Sequence, residues 1–348
     1  MTVSNAGVSS PVAREHATDG VQAVTSQIAA GDHPISVSVI IPTWNRSRFV
    51  AEAVRSVQAV DGPDLALEIL VVDNGSTDDT AAVVQAMGVR YVYCETPGAA
   101  AARNLGMREA TGDYLAFLDD DDVWLSGHLR EHLKLLEARK DFIGCIGQVV
   151  LTDPEGQPVG APYPDHLPAD GDVFPWLMQN WPQLGAIVMR TAVRDAVGYF
   201  DESAQSRNSS RDWDWMLRIA REHKIGHVRV PVVHFRMRHI ANPREDDLNV
   251  KRAKACRYAF WQNVWRARRR RLSPVMVLRA ALRFDGTYTS YFLRSSAEYA
   301  ARGDRRSALR SLGRAIRISP LHVGWALIHD KSLLSHYLPA RAGASATR

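Results

Sequence analysis

Cysteine is scarce in this chain. Its 348 residues include three, Cys94, Cys145 and Cys256, and no two are close in sequence. Neither a disulfide framework nor a zinc cluster is therefore expected. Long apolar runs are missing too: none approaches the roughly 20 residues that span a bilayer. The N-terminus lacks the basic start and apolar core of a secretory signal. No Gly-x-Gly-x-x-Gly follows the first strand-like run, and no Gly-x-x-x-x-Gly-Lys-Ser/Thr occurs, which argues against a dinucleotide-type Rossmann site and a P-loop. The expected location is cytoplasmic, with peripheral contact at the inner face of a membrane left open.

Acidic charge is unevenly distributed. Residues 249–348 carry 21 Lys+Arg against 4 Asp+Glu, whereas the preceding residues carry 22 against 34. Such asymmetry suggests an acidic catalytic body with a basic appendage. Three regions are expected. Residues 1–34, rich in small and polar side chains without firm periodicity, read as a disordered leader. Residues 35–248 form the α/β body, and residues 249–348 form a basic α-helical region.

Within the body, β-branched apolar runs alternate with helical periodicity. Residues 36–41 (Ser-Val-Ser-Val-Ile-Ile) read as a buried strand that stops at Pro42, followed by the loop Thr43-Trp44-Asn45-Arg46. Residues 67–72 read as a second strand, ending in Asp73-Asn74-Gly75-Ser76-Thr77. Residues 90–94 suit a third, and residues 114–118 a fourth, which ends abruptly in Asp119-Asp120-Asp121-Asp122. This alternation is the signature of a mostly parallel sheet flanked by helices. Carboxylates at strand C-terminal edges sit where open α/β sheets bind ligands. Four adjacent like charges call for a neutralising partner, and a hard divalent cation, Mg²⁺ or Mn²⁺, suits oxygen ligands. Carboxylates for base or ribose donors, with metal and basic groups for a diphosphate, would together suit a nucleotide.

Four segments occur in a telling order: Val39-Ile40-Ile41-Pro42-Thr43-Trp44-Asn45-Arg46, Val71-Val72-Asp73-Asn74-Gly75-Ser76-Thr77-Asp78, Ala101-Ala102-Arg103-Asn104-Leu105-Gly106 and Phe117-Leu118-Asp119-Asp120-Asp121-Asp122-Val123-Trp124. Together they resemble the family 2 glycosyltransferases, which have the GT-A fold, a Rossmann-like sheet. The resemblance covers residues 37–238. It implies inverting transfer of a sugar from a nucleoside diphosphate, commonly uridine-linked, to an acceptor hydroxyl, with Mg²⁺ or Mn²⁺ as cofactor. It further suggests work on a cell-envelope polysaccharide or glycoconjugate.

Carried over by position, the resemblance places Pro42, Thr43, Asn45 and Arg46 at the nucleotide pocket. Asp73, with Asn74 beside it, would accept a hydrogen bond from the base, and Arg103 would lie beside the nucleotide. Asp119 would meet the ribose side, with Asp120 as second choice. Asp121 would hold the metal, with Asp122 as second choice, because four consecutive Asp leave the register open by one. Asp212 matches the general base. Here the chain departs from the family: Arg211 stands where Glu is usual. An adjacent Arg would lower the pKa of Asp212 and weaken it as a base, which keeps Asp214 as runner-up. A second departure is Arg238 where His is usual, so that either His239 would serve the metal or phosphate by a one-residue shift or Arg238 would pair with the diphosphate instead.

Residues 152–172 are Pro/Gly-rich and read as loop. Acceptor contacts are expected at residues 174–184, where Trp176 and Trp181 suit sugar faces. In the basic region, Arg268 to Arg271 follow Tyr258, Phe260, Trp261 and Trp265. An anionic membrane surface suits that combination; nucleic acid is disfavoured because no recognition motif is present. Residues 297–320 resemble one tetratricopeptide-like helix pair, too short for a solenoid and expected to lie against the body. Two rival functions stay open, a catalytically inactive scaffold relative and a sugar nucleotidyltransferase.

Overall fold

The computed structural model describes residues 34–329, apart from residues 61, 204–210, 238–242 and 271. The leader, His239 and Arg238 thus lie outside the described residues. In chain order the elements are β1 (Ile35–Thr43), α1 (Ser47–Gln58), β2 (Leu65–Asp73), α2 (Thr80–Ala86), β3 (Arg90–Tyr93), α3 (Ala99–Glu109), β4 (Tyr114–Phe117), β5 (Val123–Trp124), α4 (His128–Ala138) and β6 (Phe142–Thr152). These are followed by α5 (Phe174–Leu177), β7 (Ile187–Arg190), α6 (Val193–Val197), α7 (Arg211–Glu222), β8 (Lys224–Arg236), α8 (Pro243–Arg266), α9 (Pro274–Ala301), α10 (Arg305–Ile318) and α11 (Pro320–His329).

The eight strands form one sheet in the order β3-β2-β1-β4-β7-β6-β8-β5. Strands β3, β2, β1 and β4 are parallel neighbours. Strand β7 runs against both β4 and β6, β8 is parallel to β6, and β5 runs against β8. The sheet is therefore mostly parallel, with β7 and β5 reversed. In the parallel half, Thr43 pairs in register with Asp73, and Ile40 with Phe117. That register gathers the C-terminal ends of β1, β2 and β4 on one edge, where ligands of such sheets bind.

Period-2 alternation sorts the central strands between two cores. Ile40, Leu70, Val72, Leu115 and Phe117 face one core; Val39, Ile41, Val71, Ala116 and Leu118 face the other. Helix α1 covers the second face through Val50, Ala53, Val54 and Val57, a helical spacing. Each of the three valines, fully buried, contributes roughly 1.5–3 kcal/mol. Helix α3 comes very close to β1: a Cβ at Gly106 would lie 2.5 Å from the Ile40 Cγ2 atom.

The basic helices are joined to this body. Cys256 and Phe260 of α8, and Ala280 and Phe284 of α9, belong to the same core as Phe117 and Trp215. Asn263 donates to the Asp214 carboxyl at 3.0 Å. Helix α8 begins at Pro243, so the boundary expected at residue 248 falls inside a helix. The first strand also runs further than expected, taking in Pro42 and Thr43.

Candidate active site

Three strand ends and one helix start meet at a cavity of about 760 Å³. Pro42, Thr43, Trp44 and Arg46 come from the end of β1 and its loop, Asn74 from the turn after β2, and Asp119, Asp120 and Asp121 from the turn after β4. Gly98, Ala99, Ala102 and Arg103 come from the first turns of α3, whose N-terminal dipole favours an anion. Asn74 braces that helix start: its side-chain oxygen accepts the Gly98 N–H at 2.5 Å, and its amide donates to the Thr96 carbonyl at 2.7 Å.

The acidic run is neutralised by arginine. Arg103 donates to Asp119 at 2.5 Å, and Arg46 donates to Asp120 at 2.7 Å, with Asp121 at 3.8 Å. The Thr43 hydroxyl adds a 2.9 Å hydrogen bond to Asp120. Burial still pushes the Asp120 carboxyl above its ordinary pKa, against the pull of Arg46 and Thr43. For Arg103, burial alone would weaken the cation, yet Asp119 and Asp212 hold its pKa above the ordinary value. The ring of Phe200 lies 5.9 Å from this guanidinium, and Asn104 clamps Phe200 through both its N–H and its carbonyl.

Several expected residues lie off the cavity surface. Asp73 is 1 % exposed, and its oxygens accept from the Ser76 N–H and the Tyr91 hydroxyl at 2.8 Å each. Asn45 adopts a left-handed φ of 52° and accepts the Thr77 N–H at 2.7 Å, so it ties the β1 loop to the β2 turn. Asp122, expected as second choice beside Asp121, is 3 % exposed and accepts the Arg236 N–H at 2.9 Å. Burial pushes its pKa well up. Among the described residues no group of three or more His, Cys, Asp or Glu side chains is placed to hold a metal. Asp121 at the cavity surface nonetheless fits a magnesium-type site, where one or two carboxylates suffice and substrate phosphates and water complete the shell.

Asp212 lies in the first turn of α7, across Arg103 from the acidic run. Its pKa is raised, by burial foremost, with Arg103 pulling the other way. This corrects the expectation of a lowered value: desolvation outweighs the cation, and the arginine concerned is Arg103. Asp214, the runner-up base, is taken up by Arg218 at 3.0 Å and by Asn263. Trp181 lies 5.3 Å from Trp213, ring to ring, and lines a second cavity that includes Asp212. Trp176 instead tilts against Tyr163 at 6.0 Å.

One cavity residue had no distinguishing signal in the sequence. Arg252 of α8 lines the 760 Å³ cavity, and it is one of the 21 basic residues among positions 249–348.

Fold and cavity together define an α/β protein whose strand ends, helix N-terminus, arginines and carboxylates suit a nucleoside diphosphate. Residues 38–166 match the family model described as "Glycosyl transferase family 2". It is similar to an "Uncharacterized glycosyltransferase" of Rickettsia felis, 33% identical over 198 residues that cover 56% of this chain and 32% of that protein. It is also similar to the Campylobacter jejuni "GalNAc(5)-diNAcBac-PP-undecaprenol beta-1,3-glucosyltransferase", 40% identical over 122 residues covering 33% and 38% of the two chains. The chain thus spans about a third of the length of these curated relatives. Among solved structures it is similar to a Pyrobaculum calidifontis mannosyltransferase in complex with GDP-Man and Mn²⁺. That pair is 19% identical with a TM-score of 0.49, and 88% and 86% of the chains are covered.

Proposed function

We propose that this chain is an inverting glycosyltransferase that moves a sugar from a nucleoside diphosphate, uridine-linked by family resemblance, to an acceptor hydroxyl. One observation carries the reading. Arg103 stands between the carboxylates of the large cavity and the raised-pKa Asp212, so the donor diphosphate and a base meet at one arginine. Arg46, Arg103 and the α3 N-terminus hold and neutralise the diphosphate. Asp119 and Asp120 orient the ribose side. Asp121 would hold Mg²⁺ or Mn²⁺, which when bound supplies charge neutralisation on the departing diphosphate. Asp212 accepts the acceptor proton as that oxygen attacks the anomeric carbon from the face opposite the leaving group. A raised pKa makes it the stronger base.

Membrane contact is part of the proposal. Trp261 and Trp265 of α8 and Val275 and Leu278 of α9 are exposed, and the Arg268 guanidinium lies 4.7 Å from the Trp265 ring. Aromatics beside arginine suit the interface of an anionic bilayer. No helix among the described residues is long and apolar enough to cross one. A peripheral enzyme of envelope polysaccharide or glycoconjugate synthesis fits this surface. It predicts co-sedimentation with anionic but not neutral vesicles.

The deciding experiment is release of free nucleoside diphosphate from a panel of nucleotide sugars with Mn²⁺, Mg²⁺ or EDTA. Metal-dependent release from one donor supports the reading. No release and no donor-induced thermal shift would favour the inactive scaffold. Pyrophosphate release would reveal a nucleotidyltransferase.

A further inference from the structure

A second cavity, of about 350 Å³, opens beside Asp212. Part of its wall comes from the body, Trp181 and Gln183 ahead of β7. The rest comes from the basic helices: Asn249 of α8, and Tyr288, Tyr291 and Arg294 of α9. The three α9 residues are spaced by three and so share one helix face. That face is fixed in place. Phe284, one turn earlier, stacks on Trp213 at 6.0 Å and tilts against Trp181 at 5.7 Å, and Trp213 is the residue next to Asp212. The two cavities are linked through α8 as well: Arg252, which lines the large one, donates to the side-chain oxygen of Asn249, which lines the small one, at 3.3 Å.

The lining is chemically selective. Trp181, Tyr288 and Tyr291 make the wall aromatic, which suits the C–H face of a sugar or polyol. Gln183 and Asn249 are neutral hydrogen-bonding groups. Among the described residues Asp212 is the sole carboxylate on the wall and Arg294 the sole cation. Arg294 is exposed and makes no ion pair among the described residues. An exposed guanidinium that lines a cavity is suited to bidentate capture of an anionic group.

We infer that this cavity is the acceptor site. Its occupant is a hydroxyl-bearing sugar or polyol that also carries a phosphate or a carboxylate, which Arg294 holds. The inference rests on the proposed role of Asp212 as base. In the step, the acceptor O–H gives its proton to Asp212, and its oxygen forms the new bond to the anomeric carbon. The bond from that carbon to the donor phosphate oxygen breaks, and its electron pair leaves on the nucleoside diphosphate. Arg294 takes no part in bond making; it sets which acceptors are held.

The test uses the full chain with the donor that gives a thermal shift. Glucose, glucose 6-phosphate and glucuronate, and glycerol and glycerol 3-phosphate, are titrated as acceptor probes, reading nucleoside diphosphate release and calorimetric binding. The anionic members should half-saturate at concentrations about tenfold or more below their neutral counterparts. Phosphate against carboxylate preference separates the two anion sources. Arg294→Gln should erase the anionic preference without changing the donor-induced thermal shift, and Arg294→Lys should restore most of it. Equal response to neutral and anionic probes, no binding of any anionic probe, or a preference that survives Arg294→Gln would each overturn the inference. Absence of the donor shift itself would overturn the glycosyltransferase reading instead.

Discussion

Arg103 and Asp119 form a 2.5 Å ion pair on the wall of the larger cavity. The arginine side chain is 11 % exposed and the aspartate 41 %, so the cation is buried and the carboxylate faces the cavity. Asp212 acts on the same guanidinium. One buried cation therefore interacts with a carboxylate of the larger cavity and with Asp212, which lines the smaller one.

The Asp212 carboxyl must be ionised to accept a proton. Its pKa is raised by burial and held back by Arg103, so transfer should fall as pH drops through a value above the ordinary carboxylate range. Arg103→Met removes the restraint. The acid limb of kcat/KM against pH should move to higher pH, with donor affinity reduced. An unmoved limb would separate Arg103 from Asp212.

Asp212→Asn keeps the size of the side chain and removes the base. Donor-induced thermal shift should persist, while transfer falls by about 10²–10⁴-fold. Normal turnover would sink the assignment and return attention to Asp214.

Removing the metal and removing its proposed ligand should be equivalent. Asp121→Ala should show the same weak donor binding with Mn²⁺ as with EDTA, measured by thermal shift across a donor titration. Undiminished metal-dependent binding would take Asp121 out of the metal site.

His132 is fully buried on α4, between the carbonyls of His128 and Ala186, and burial pushes its pKa down to about 4. Between pH 4 and about 6.5 the unfolded chain binds a proton that the folded chain does not, so stability is lost as pH falls through this window. The full effect is about 3 kcal/mol. His132→Gln lacks this titration. The stability difference between wild type and variant, from urea unfolding, should grow in favour of wild type between pH 4.5 and 7. A constant difference would show that His132 is not held neutral.

At Gly106 no side chain fits, because a Cβ would lie 2.5 Å from the Ile40 Cγ2 atom. Gly106→Ala should cost about 1–3 kcal/mol and displace α3, whose N-terminus lines the larger cavity. Chemical denaturation and donor affinity should fall together.

Much of this was legible in the chain itself. Runs such as Val37-Ser38-Val39-Ile40-Ile41 and Leu70-Val71-Val72, short and β-branched, read as strands buried on both faces, and the polar residues that stop them mark the ligand edge. Thr43, Arg46, Asn74, Arg103 and Asp119 to Asp121 duly meet there. The sequence also determined the acidic body and the basic helices, since composition is independent of folding. Tertiary packing decided the rest, because burial and long-range partners have no local signature. It withdrew Asp73 and Asp122 behind hydrogen bonds to Tyr91 and Arg236. It desolvated Asp212, which reversed the direction expected from its neighbour Arg211. And it brought Arg252 to the larger cavity and Asn249, Tyr288 and Arg294 to the wall beside Asp212, across sequence separations over which no periodicity carries information.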